Sequence, residues 1–311
     1  MRSIQLVFFV FIMGWSCSLT AQFKQVMQWT TDGNSYYRIK DGGIVKVDVK
    51  TDNESPFITK EQLTPTGGKP LSIQSYSFST DRNKLLIFTN TEKVWRYNTR
   101  GDYWVLDIVS GKITQIGKKL PAQSLMYAKL SPNGKLVAYG SGHNLFSEDI
   151  ASGKLTQLTF DGTRKLINGT FDWVYEEEFG CRDGFRWNPD GTKIAYWQVD
   201  ANKIRDFYMI NNTDSVYSQI IPVEYPKVGE PPSPVKIGVV NVSGGKTNWM
   251  KIEGDPQQHY ITRMEWSDAS TLIVQQLNRK QQESKLIYCN ALSGLSKVFY
   301  AEKNDSWIEN K

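Results

Sequence analysis

Three consecutive carboxylates, Glu176-Glu177-Glu178, stand among four aromatic residues, Phe171, Trp173, Tyr175 and Phe179. Crowded like charges raise one another's pKa, and partial burial raises it further, so such a run is best offset by a cation. If Glu177 and Glu178 face a cavity, they can accept charge-assisted hydrogen bonds from an ammonium group, with aromatic walls lowering the local dielectric. A solvated acidic turn with aromatics packed beneath it has the same composition, and the residues alone leave both readings open. Arg96, in Val94-Trp95-Arg96-Tyr97-Asn98, is the second candidate. Its planar guanidinium suits a carbonyl or carboxylate clamp, although an arginine stacked on an aromatic or paired at the surface reads the same way.

Other chemistries lack their residues. Nucleophilic catalysis needs a serine or cysteine beside a base, commonly on a Gly-x-Ser-x-Gly turn, and no such turn follows the leader segment. The two histidines, His143 in a Gly-Ser-Gly-His turn and His259 after Gln257-Gln258, have no motif partner and are expected as surface turn residues. No His/Cys/Asp/Glu group has metal-ligand spacing, and no glycine-rich loop leads into a helix to hold phosphate, so neither a metal nor another cofactor is expected. The net charge of +5 is scattered without a basic block, which argues against nucleic acid as a partner.

These candidates must be positioned by short strands and tight turns. The chain of 311 residues has 13% aromatics, 24 Gly and only 3 Cys, and is neither collagenous, disordered nor a disulfide-stapled miniprotein. Two patterns alternate along it. One is a turn before an apolar strand, as in Thr80-Asp81-Arg82-Asn83 before Leu85-Leu86-Ile87-Phe88, or Asn188-Pro189-Asp190-Gly191 before Ile194-Ala195-Tyr196. The other is a strand ending in Asp or Asn with a Ser-Gly turn behind it, as at Asp107, Asp149 and Asn290, with looser copies at Asp48 and Asn241. Five units of two hairpins follow, each about four strands, which is the make-up of a β-propeller blade.

The expected fold is therefore all-β: a propeller of four-stranded blades, about five of them present, belonging to a larger seven- or eight-bladed ring. Gaps between the two marks are 16, 26, 17, 51 and 22 residues, so units two and four carry insertions. The first contains Arg96 and the second the Pro-rich stretch Tyr225 to Pro232, while a third departure, Asp161 to Arg186, holds the glutamate run. In repeat proteins such interruptions commonly build the binding face. The chain stops at Lys311 without a further hairpin; an open array would leave strand edges and blade faces uncovered, so a longer protein is expected.

At the other end, Arg2 precedes an apolar run from Leu6 to Trp15 and small or polar residues up to Ala21, which reads as a signal peptide over residues 1–21. An uncleaved anchor is the alternative, and both place the rest outside the cytoplasm, periplasmic or secreted. Cys181 and Cys289 are far apart in the repeat scheme and are expected as buried, unpaired thiols.

Phe171 to Phe179, read with Trp187 to Tyr196 and with Tyr225-Pro226-Lys227-Val228-Gly229, resembles the N-terminal propeller of dipeptidyl peptidase IV in the prolyl oligopeptidase family of serine peptidases. The likeness runs from about Tyr36 to Trp307, and Asp-Trp-Val-Tyr-Glu-Glu-Glu is its specific part. The resemblance implies that Glu177 and Glu178, on a short helical protrusion, hold the free N-terminal ammonium of a peptide substrate. It implies that Arg96 hydrogen-bonds the carbonyl of the substrate's second residue, so that dipeptides are released after Pro or Ala. It further implies that residues 22–311 are a partial propeller, that the catalytic serine, aspartate and histidine belong to a C-terminal α/β-hydrolase domain absent here, and that this piece alone is inactive. A homodimer of the complete protein is left open, and a non-catalytic propeller acting as an interaction scaffold is the rival reading.

Overall fold

The structure, a computed structural model, describes residues 27–309; the expected signal segment lies outside the described residues. The five units form five antiparallel groups of four strands, the second and third joined edge to edge in one eight-stranded sheet and the fourth extended by one further strand. The first is β1 (Gln28–Trp29), β2 (Ser35–Lys40), β3 (Gly43–Asp48) and β4 (Glu54–Ile58). The second is β5 (Ile73–Phe78), β6 (Lys84–Val94), β7 (Tyr97–Asp107) and β8 (Ile113–Ile116), and the third β9 (Leu125–Leu130), β10 (Leu136–Ser141), β11 (Asn144–Asp149) and β12 (Leu155–Gln157). After β13 (Leu166–Asn168) and the helix α1 (Trp173–Phe179), the fourth unit begins with β14 (Phe185–Trp187) and β15 (Lys193–Asp200). The hairpin β16 (Asp206–Asn211) and β17 (Gln219–Glu224) interrupts it before β18 (Val235–Asn241) and β19 (Asn248–Trp249) complete it. The fifth is β20 (His259–Trp266), β21 (Thr271–Asn278), β22 (Glu283–Asn290) and β23 (Ser296–Lys303).

Why the second strands of the three interior units, β6, β10 and β15, are apolar without alternation is visible in the packing. Successive side chains of a strand point to opposite faces. Leu85 and Ile87 of β6 join Ile44 and Ile58 of the first unit, while Leu86 and Phe88 turn the other way to meet Val137 and Tyr139 of the third. Ala138 of β10 and Ile194 and Tyr196 of β15 form the next core, and Ala195 and Trp197 meet Leu272 and Val274 in the last. Five four-stranded groups thus enclose four cores in chain order, which is the stacking of propeller blades: the central strands of each interior group are buried on both faces.

The Ser-Gly marks close the outer hairpins by one repeated device. Asp107, Asp149 and Asn290 each accept the backbone N–H of the serine three residues on at 2.8 Å, and the serine hydroxyl bonds the same oxygen. These hydrogen bonds hold the carboxyls of Asp107 and Asp149 below the ordinary aspartate value.

Cys181 and Cys289 are buried and unpaired, in agreement with the reading from sequence. His259 corrects it. The ring is buried at the start of β20, within 3.1 Å of the Gln276 side chain, because the strand begins earlier than the Gln257-Gln258 loop suggests. Among the described residues no helix is long and apolar enough to cross a membrane.

Candidate functional site

The insertion of unit two is a continuation of its central hairpin. Strands β6 and β7 reach 11 residues each, and Val94 pairs with Tyr97 to leave Trp95-Arg96 as a two-residue tip. Trp95 has φ 53°, the positive sign that tight hairpin turns require and an aromatic residue adopts only under constraint. The constraint lies below the tip. The ladder shifts register between Thr89 and Glu92, and Asn90 donates to Asp102 at 2.7 Å. Asp102 also accepts the Gln123 N–H at 2.7 Å, and Arg100 and Gly101 pair with Met126 and Leu125 of β9. A bulge re-aims a strand, and here the bent hairpin is fastened to the neighbouring blade.

Helix α1 is the second positioned element. Asp172 caps it: its Oδ1 accepts the Tyr175 N–H at 3.1 Å, and its Oδ2 accepts the Ser233 hydroxyl at 2.6 Å. Gly180 ends it in the left-handed region at φ 64°, where a side chain would be strained. The excursion leaves and returns through Gly169 and Gly184, both tied to the Trp197 backbone. A Cβ on Gly184 would lie 2.7 Å from the carbonyl carbon of Gly169, so the narrow base has room only for glycine.

The four aromatics are anchors rather than walls. Phe171 packs on Tyr175 and Trp197, Trp173 on Tyr225, and Phe179 on Tyr260. The Tyr175 hydroxyl accepts the Ile261 N–H at 3.1 Å from the fifth blade. With Tyr175 and Phe179 turned into the core, helical spacing leaves Glu177 and Glu178 off the buried face.

The three glutamates then separate. Glu176 is 8% exposed and accepts from Arg182 Nε at 3.0 Å; burial pushes its carboxyl up, and the Arg182 hydrogen bond works against that shift. Glu177 Oε1 lies 2.9 Å from Arg96 Nε, the glutamate side chain being 18% and the arginine side chain 69% exposed. Glu178 is exposed and has no hydrogen bond or ion pair among the described residues. Arg96 from the hairpin tip and Glu177 from the helix, 81 apart in sequence, are therefore brought together, with Glu178 next along the helix. The acid that enters the protein interior is Glu176, outside the pair singled out from sequence.

Sequence reasoning also passed over Arg182 and Tyr97. Arg182 leaves the helix cap, and its Cζ lies 4.2 Å from the centre of the Tyr97 ring. Only Tyr97's place beside Arg96 hinted at this contact. Beyond it, Asp183 pairs with Lys129 and Arg186, and Arg186 with Glu265, joining blades three, four and five along their first strands.

A family model described as the dipeptidyl peptidase IV (DPP IV) N-terminal region matches residues 79–311. The chain is 27% identical over 297 residues to a probable dipeptidyl peptidase 4 of Emericella nidulans, which covers 91% of this chain and 37% of that protein. It is 26% identical to dipeptidyl aminopeptidase B of Saccharomyces cerevisiae and 25% identical to inactive dipeptidyl peptidase 10 of Rattus norvegicus, each covering 91% of this chain and 36% of the relative. The chain thus spans little more than a third of the length of these relatives. The crystal structure of Porphyromonas gingivalis dipeptidyl peptidase 4 superposes with a TM-score of 0.83 at 25% identity, covering 92% of this chain and 41% of that one.

Proposed function

The chain belongs to the dipeptidyl peptidase IV N-terminal region family, and from that premise we propose that it is the substrate-selecting propeller of an exported serine-type dipeptidyl peptidase. The complete enzyme releases Xaa-Pro or Xaa-Ala dipeptides from the free N-termini of peptides. Residues 1–21 are its signal peptide, residues 22–311 the first part of its propeller, and bond cleavage belongs to an α/β-hydrolase domain beyond them.

The observation that carries this reading is the meeting of Arg96 with Glu177 beside an exposed Glu178. An ammonium has three donors and no acceptor, which suits two adjacent carboxylates. Arg96 meets Glu177 through Nε and stays largely exposed, so its remaining N–H groups are available to a peptide carbonyl. Gripping the terminus at a fixed distance from a nucleophile sets the length of the product.

In the complete protein, Glu177→Gln and Glu178→Gln are expected to lower kcat/KM on dipeptide p-nitroanilides with a free amine by ~10- to 1000-fold, from the loss of a charge-assisted bond. Unchanged kinetics in both variants overturn the assignment. The exposed apolar hairpin β16–β17 supports a homodimer of the complete protein: Phe207, Tyr208, Ile210 and Ile220 are between 48% and 69% exposed. A two-stranded ribbon is marginal alone and gains by burying such a surface against a second copy.

A further inference from the structure

We propose that Arg182 is a positioning residue for this site: it neutralises Glu176 and locks the glutamate helix to the hairpin that carries Arg96. The inference rests on the reading of Glu177, Glu178 and Arg96 as the grip on a peptide amine.

Its one guanidinium touches both elements. On the helix side Nε donates to Glu176 at 3.0 Å; on the hairpin side the planar group lies over Tyr97, the residue that closes the tip. A cation over an aromatic face and a charge-assisted bond to a shielded carboxylate are both strengthened by exclusion of water. The neighbouring acid does not compete for it, since Asp183 is held by Lys129 and Arg186.

The charges then balance in a specific way. Three carboxylates meet two resident guanidiniums, Arg182 on Glu176 and Arg96 on Glu177, leaving the site one negative charge. That surplus matches a single ammonium. Without Arg182, the shielded Glu176 becomes an unpaired charge adjacent in sequence to Glu177. It then draws Arg96 away from its place or takes up a proton, and either change alters the grip on the amine.

The test uses the complete protein and Gly-Pro-p-nitroanilide. Arg182→Met, which keeps an unbranched stem over Tyr97 but removes the charge, is expected to raise KM about tenfold with kcat within about twofold. The double variant Glu176→Gln/Arg182→Met is expected to return KM to within about threefold of Glu176→Gln alone, because no unpaired charge remains. A fold-supporting role alone would lower Tm without this split or this rescue. Should Arg182→Met fail to fold, Arg182→Lys and the double variant decide: a KM near the parent for lysine together with rescue in the double supports the role, and a double variant with KM still raised about tenfold overturns it. Glu177→Gln and Glu178→Gln are measured alongside. If they raise KM and Arg182→Met does not, only this inference falls; if neither raises it, the reading of the site falls first.

Discussion

Two hairpins extend beyond the blades, and they are built in opposite ways. The β6–β7 extension is polar at its base, carries a bulge, and shares backbone hydrogen bonds with β9 of the next blade. The β16–β17 hairpin is a separate two-stranded sheet with large apolar residues exposed along both strands. Its base is held by ion pairs of Arg164 with Asp206 and Glu224, not by a neighbouring sheet. The contrast shows how one scaffold makes a fixed arm and an open one. Cross-blade pairing fixes the direction of a tip to within a hydrogen bond, as recognition of a small charged group requires. An unpaired ribbon keeps its faces available for a larger surface.

Exchanging each arm for a short turn is the strongest way to break this comparison. Replacing residues 93–98 by Asn-Gly is expected to cost about 100-fold or more in kcat/KM on free-amine substrates while the blades stay folded, as judged by circular dichroism and Tm. Replacing residues 206–224 by Gly-Ser is expected to leave those kinetics within about threefold and to shift the complete protein from dimer to monomer in sedimentation. Equal kinetic losses from the two exchanges would erase the distinction.

Smaller changes sharpen it. Gly184→Ala forces a Cβ into the Gly169 backbone at the root of the helix excursion, and the expected loss is about 1–3 kcal/mol in denaturant unfolding. Asp102→Ala frees Asn90 and the Gln123 N–H below the hairpin tip; about 1 kcal/mol of stability and a few-fold increase in KM are expected. No rise in KM would mean that the bulge does not aim Arg96.

The smallest effect concerns the blades. Hydrogen bonds hold the Asp107 and Asp149 carboxyls below the ordinary value of 3.8. Their contribution is present above that value and is lost as pH falls through the lower folded-state one. Asp107→Asn/Asp149→Asn is therefore expected to flatten the fall of Tm below pH 3.8 and to change little at pH 7, since Asn290 already makes the same turn with an amide.

The sequence by itself determined the blades. Turn residues with fixed conformational demands, Asp-x-x-Ser-Gly above all, recur at intervals that only repeated hairpins satisfy, and continuous apolar runs such as Leu85 to Phe88 announce strands buried on both faces. It also marked Arg96 and the glutamate run, because both fall where that regularity stops. It did not reveal which glutamate turns inward, that Arg182 lies over Tyr97, or that His259 is buried, since none of these contacts is periodic or local. They depend on how far a bent hairpin reaches across a blade boundary and on which face a seven-residue helix buries, and packing between distant segments sets both.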